Sequence, residues 1–284
     1  SLIIDSGTFT RIYGGGNNSQ GSSMRGKDNS ITIEINGGTV TTALFGSGLG
    51  NSDCAHHKSI SITVNDGTIK SLYGAHKDAT VYNGIEINLY GGSVSYVAGA
   101  CKPAESYKAD VIPTIKGDIT ITYGADIVSG SLKGIEDGAN LEGKAILLYK
   151  DANTALRNVV NFSALNLINS TLTVPEAVSA TWNSFSHLML TDNSKLTLEF
   201  TPTLNEKISV EVTKSGDEWQ TATHIISAPA GTADLFKLTS PLNCKFVYDL
   251  NVASWTLEEG EMSIGQAGTA GTLMNINLGL RKDG

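Results

Sequence analysis

The chain is poor in several things at once. It holds only six prolines and three cysteines in 284 residues, and charged side chains make up just 17%. No run approaches the roughly 18 apolar residues of a membrane-spanning helix. No charged segment leads into an apolar core of signal-peptide type, so no signal peptide is present. Basic residues are outnumbered, 20 against 28 acidic, for a net charge of −8. That balance excludes a protein held to nucleic acid by its phosphates, or to anionic lipid by charge. Three cysteines, Cys54, Cys101 and Cys244, are too few for a disulfide scaffold. The odd count leaves at least one outside any internal bridge. A Cys54–Cys101 bridge is possible but not the favoured reading.

Glycine, by contrast, is plentiful at 31, and it is spaced. Residues 31–38 read ITIEINGG, then TVTTALFG. Residues 60–67 read ISITVNDG, then TIKSLYG. Residues 85–92 read IEINLYGG, then SVSYVAG. The chain opens on LIIDSG and TFTRIYG, and a degenerate fifth copy reads ITITYG, then ADIVSG. Anchoring glycines fall at Gly7, Gly38, Gly67, Gly92 and Gly124. Second glycines follow seven or eight residues later at Gly14, Gly46, Gly74 and Gly99. The opening SLIIDSGTF reads as mid-repeat. The expectation is a processed chain, with a leader and further repeats preceding it.

Within each copy the apolar residues alternate. Ile31, Ile33 and Ile35 flank Thr32 and Glu34, the period of a strand with one buried face. The glycine that follows admits positive φ and so turns the corner. Phe9, Val40, Ile69 and Val94 restart the inward set, and Ile12, Leu44, Leu72 and Val97 close it. Strand, corner, strand and loop form a unit that cannot bury its apolar side alone, so such units stack. A second repeat family follows, with Phe162 and Phe185 separated by 23 residues and Leu172 and Leu196 by 24. Residues 134–160 are the least clear, and strand is preferred there over a short helix. Runs at 208–212, 224–228, 245–250 and 254–259 read as terminal coils or hairpins closing the stack. The predicted fold is all-β: a single-stranded right-handed parallel β-helix (a β-solenoid) of eight to eleven coils, roughly 40–50 Å long. Repeats occupy residues 1–200, and terminal coils with a C-terminal β cap occupy 201–284.

The units NGGTVTTALFG, NDGTIKSLYG and YGGSVSYVAG resemble repeats of large secreted or cell-surface proteins of gut-type bacteria, the pectin-lyase-like parallel β-helices. The stretch from NFSALNLINSTLTV through FVYDL and SWTLEE is similar to the closing part of adhesin and autotransporter-passenger β-helices. The resemblance covers roughly residues 1–260. It implies adhesion, surface display and glycan contact, with polysaccharide cleavage in some branches. No translocator barrel follows.

Candidate chemistry is sparse. Residues 21–28, GSSMRGKD, approach the phosphate-cradling pattern G-x-x-x-x-G-K-[ST]. Asp28 stands where a hydroxyl is needed, and a strand follows where a helix is needed. Stacking would bring His76 and Cys101 together, with Cys54, His56 and His57 one coil earlier on the same edge. Imidazole and thiolate suit zinc, but no C-x-x-C or H-E-x-x-H spacing supports a site. The reading is incidental loop residues, with neither metal nor cofactor. Tyr13, Phe45 and Tyr73 share one repeat position, broken by Ala98. They form an aromatic column that is structural if buried and a sugar-stacking surface if exposed. Asp5, Asn36 and Asn65 share another, read as turn-forming side chains bonded to nearby backbone. Glu34, Glu86 and Asp118 fall at non-equivalent positions, and no nucleophile motif appears. The best binding candidates are Tyr13, Phe45, Tyr73 and His76. The function expected is a non-enzymatic extracellular or cell-surface module, adhesive or a stalk. Its expected partners are host or dietary glycans or surface proteins, with no nucleic acid and no membrane span. A polysaccharide lyase or glycoside hydrolase is the alternative.

Overall fold

A computed structural model describes residues 1–15, 28–48, 56–101, 112–124, 128–156, 158–182, 184–191, 193–201, 207–213, 226–229, 236–238, 244–249, 254–259, 262–264 and 274–276. The chain winds as a parallel β-helix. Its first face is a ten-stranded sheet with one strand per rung, running from Leu2–Ile4 through Ile31–Ile35, Ile60–Val64, Gly84–Leu89, Asp118–Tyr123 and Ala145–Lys150. It continues through Ala164–Ile168, His187–Thr191 and Ile208–Thr213 to Phe236–Leu238. Every neighbouring pair in it is parallel. Ten rungs span about 43 Å at ~4.8 Å per step.

The repeat equivalences read from the glycines are the observed register. Val40 lies opposite Ile69, and Ile69 opposite Val94; Leu44, Leu72 and Val97 form the matching column. All six are buried to 3% exposure or less. On the first face Ile33, Ile62, Ile87, Ile121, Leu147, Leu165, Leu188 and Val210 make one continuous inward column. The single eight-residue glycine spacing, from Gly38 to Gly46, has a local cause. The strand Thr39–Phe45 carries one extra residue, a β-bulge between Val40 and Leu44.

Two glycine roles separate. Gly92, with φ +78°, turns a corner that a side chain resists. Gly74 sits in ordinary extended backbone, but a Cβ there would collide with the Gly99 carbonyl oxygen of the next rung and lie 2.6 Å from Ile85 Cγ2. The second glycines are therefore required by close approach between rungs. The degenerate fifth copy differs from expectation. Gly124 is not among the positive-φ residues, and its second glycine is Gly134, which underlies Gly99.

The segment expected to be loop contains a third face. His56–His57, Thr80–Val81, Thr114–Ile115 and Asn140–Leu141 pair in parallel as two-residue strands. Residues 134–160 hold the strands Asn140–Leu141, Ala145–Lys150, Asn153–Ala155 and Asn158–Val160 with turns between them, in line with the preferred strand reading. On the sixth rung the strand Asn153–Ala155 starts a fourth sheet, while Asn158–Val160 ends the second face, which runs through Thr8–Tyr13, Thr39–Phe45, Thr68–Ala75, Ser93–Ala100 and Val128–Lys133. The fourth sheet carries the second repeat family: Leu172 faces Leu196, and Phe162 and Phe185 are both buried. Asp151, Asn161 and Asn169 take the positive-φ corners that glycine holds earlier, as short polar side chains tolerate.

Parallel pairing continues through Ile226–Ser227 and Phe236–Leu238. The strand Ser254–Glu259 then pairs antiparallel with both Ile226–Ser227 and Cys244–Asp249. This hairpin covers the last edge of the fourth sheet, the end a solenoid has to protect.

Candidate functional site

Two places on the rod carry side chains arranged for more than packing. The first is the outer side of the second face. Each aromatic immediately precedes a second glycine, so the register puts Tyr13 over Phe45 and Phe45 over Tyr73. Their ring centroids are 5.2 Å apart at both steps, with interplanar angles of 8° and 11°. Ala98 and then Lys133 follow in the column. His76 closes on the stack edge-on, 4.9 Å from Phe45 and 6.1 Å from Tyr13. All four sequence candidates thus meet in one cluster.

The cluster's geometry decides its use. The ring planes are stacked along the rod axis, so the ring faces that a sugar would need cover one another. Phe45 is 8% exposed and His76 6%. Beyond Tyr73, Tyr96 tilts against it at 5.7 Å and donates its hydroxyl to Glu136. Lys133 Nζ lies 3.0 Å from the other Glu136 oxygen. Burial raises the Tyr73 phenol, with Cys101 and Glu136 adding to it. Burial also raises Tyr96, helped by its hydrogen bond to Glu136. The arrangement clamps rungs together.

His76 is held neutral. Burial pushes it from its ordinary 6.5 down to about 4; Asp78 opposes the shift, its carboxylate 3.8 Å from Nδ1, and Lys77 reinforces it. The His76 backbone N–H donates to Ser47 Oγ. Because the folded pKa is depressed, the unfolded chain takes up the proton first. The resulting contribution to stability is whole above pH 6.5 and is lost as pH falls towards 4, by about 3 kcal/mol. His76→Phe is expected to remove that segment of the stability–pH curve, as urea midpoints at pH 7, 5.5 and 4 would reveal. An unchanged slope would contradict it.

The expected imidazole–thiolate edge divides. Cys101 does lie beside His76, its N–H donating to the Ala75 carbonyl. His56 and His57 instead form a third-face strand: His57 points inward at 0% exposure, and His56 meets Tyr82 at 6.3 Å. Cys54 and residues 21–27 lie outside the described residues. Among the described residues no group of three His, Cys, Asp or Glu is arranged to hold a metal.

Asp5, Asn36 and Asn65 are neighbours as predicted, but their bonds run between rungs. Asn36 donates to Asp5 at 2.9 Å and Asn65 to Asn36 at 2.8 Å.

The second place is an open groove of about 300 Å³ on the outer side of the first face, lined among others by Ser59, Ser61, Asn83, Glu86, Asp118 and Thr120. Ser61, Glu86 and Thr120 stand one above another on consecutive rungs. Asp118 opposes Gly84, two residues before Glu86. Their α-carbons are therefore about 8 Å apart from strand geometry. Asp118 Oδ1 accepts the Lys144 backbone N–H at 2.8 Å, and Glu86 Oε1 accepts from Asn88 at 3.1 Å. The carboxylates are indeed non-equivalent, since Glu34 opposes Thr63 and not Glu86. What the repeat comparison missed is that non-equivalent positions on adjacent rungs can still share a groove. Aligning Ile85 with Ile119 would have placed Asp118 beside Gly84.

No family model, curated protein or solved structure matches the chain. Among the described residues no helix is long and apolar enough to cross a membrane.

Proposed function

We propose that the chain is a non-enzymatic β-helical module of a secreted or cell-surface protein, adhesive or a stalk, as its resemblance to pectin-lyase-like adhesin repeats implies. The observation that carries this reading is the stack itself. Ten rungs are tied by continuous parallel pairing, and the repeated aromatic and amide side chains go into joining one rung to the next. Such a rod holds whatever it carries at a fixed distance, and its outer faces are available to glycans or surface proteins.

The test is a binding screen against host glycans, mucin and matrix proteins, run beside a product-release assay on pectin and mucin glycans. Binding without release is the expected result. No binding at all leaves the stalk version. Product release overturns the reading.

One observation favours the alternative of a polysaccharide-degrading enzyme. Glu86 and Asp118 line one groove, and glycoside hydrolysis uses two carboxyl groups. Both residues are exposed, whereas the acid of such a pair is typically desolvated. If release is seen, its loss in both Glu86→Gln and Asp118→Asn would establish the enzyme.

A further inference from the structure

We propose that the groove on the first face, and not the aromatic column, is a saccharide site that takes an extended, uncharged oligosaccharide laid along the rod axis. This rests on the glycan-contact part of the function proposed above and names where and what.

The groove's volume is at the lower end of the range for small-ligand sites. Its polar lining consists of hydroxyls from Ser59, Ser61 and Thr120, the amide of Asn83, and the two carboxylates. Those are the donors and acceptors that sugar hydroxyls satisfy. The column Ser61, Glu86 and Thr120 repeats once per rung. The rung step of about 4.8 Å is close to the length that one hexose adds to an extended chain, so consecutive sugars would meet equivalent positions. Asn88 and the Lys144 N–H each hold one carboxylate oxygen. The acceptors are therefore positioned before a ligand arrives, which lowers the ordering cost of binding.

Charge sets the class. Glu86 and Asp118 are the charged members of the lining, which contains no lysine or arginine. A polyuronate would bring its own carboxylates against them, a like-charge contact that selects against that partner. The aromatic column cannot serve instead, because its ring faces are already stacked.

The experiment measures binding of cellohexaose, xylohexaose and mannohexaose by calorimetry, with a polygalacturonate hexamer, with and without calcium, as the charged comparison. At least one neutral hexamer should bind, and its disaccharide at least tenfold more weakly. Glu86→Ala should weaken binding at least tenfold. Thr120→Arg, which fills the groove from another rung, should do the same, while Lys70→Ala on the second face should change nothing. Circular dichroism checks that each variant folds. Three results would overturn the inference: no neutral hexamer binding, binding indifferent to both groove variants, or equal or tighter binding of the uronate. Failure here is separable from failure of the wider reading. Mucin or matrix binding that survives Glu86→Ala would sink the groove and leave an adhesive module, whereas product release would sink the module.

Discussion

Gly74→Val costs the native fold more than about 4 kcal/mol. The added side chain would start from a Cβ that already collides with the Gly99 carbonyl and lies 2.6 Å from Ile85 Cγ2. Neither neighbour can yield cheaply. The carbonyl belongs to the backbone of the next rung, and the isoleucine is a core residue 3% exposed. Gly46 and Gly99 make the same contact with the rungs below them, so opening the gap at one rung strains a column. Ordinary overpacking costs about 1–3 kcal/mol because side chains shift. Here backbone would have to separate, and the expected loss exceeds about 4 kcal/mol, close to the whole stability of a marginal domain. Gly74→Ala should lose about 3 kcal/mol. Lys70→Val, an exposed position of the same strand, should stay within about 0.5 kcal/mol. Urea unfolding followed by circular dichroism measures all three. A Gly74→Val chain with an unchanged midpoint would show that the rungs do not approach here.

Ile62→Ala has the second largest effect. Ile62 is 0% exposed and lies between Ile33 and Ile87, each also 0% exposed. Truncation removes three carbons from a column whose members are held by backbone pairing, so the stack cannot close on the cavity. Such sites lie towards the upper part of the 2–5 kcal/mol range for Ile→Ala, and about 4 kcal/mol is expected. Ser61→Ala, one residue away on the outer face, should be nearly neutral. A similar small loss for both would mean that alternate residues do not face opposite sides.

The rungs were readable because two signals coincide there, period-two hydrophobicity and a glycine that the corner or the close approach demands. Val40, Ile69 and Val94 could be aligned by counting from Gly38, Gly67 and Gly92 before any coordinates. The third face was not readable. His56–His57 and Thr80–Val81 are two residues long, too short for any periodicity, so His57 read as an incidental loop residue when it is an inward-facing strand residue. The fifth copy's second glycine, Gly134, was left unassigned because it falls ten residues after Gly124 and not seven or eight. The aromatic column was legible as a column, but not whether its faces were free. That depends on ring tilt and on His76, which reaches it from beyond the strand. The groove escaped because its carboxylates come from different register positions, which a comparison of equivalent residues discards.

The claim beneath all of this is that successive rungs pile up in one direction. Distances between spin labels test it most directly. On a background with the native cysteines replaced, a label at Thr32 is paired in turn with labels at Ile146, His187 and Ser209. These residues share one outward column, four, six and seven rungs away. Double electron–electron resonance should give separations of about 19, 29 and 34 Å, rising about 4.8 Å per rung. Separations that do not rise in that order, as strands folded back against one another would give, contradict the parallel stack.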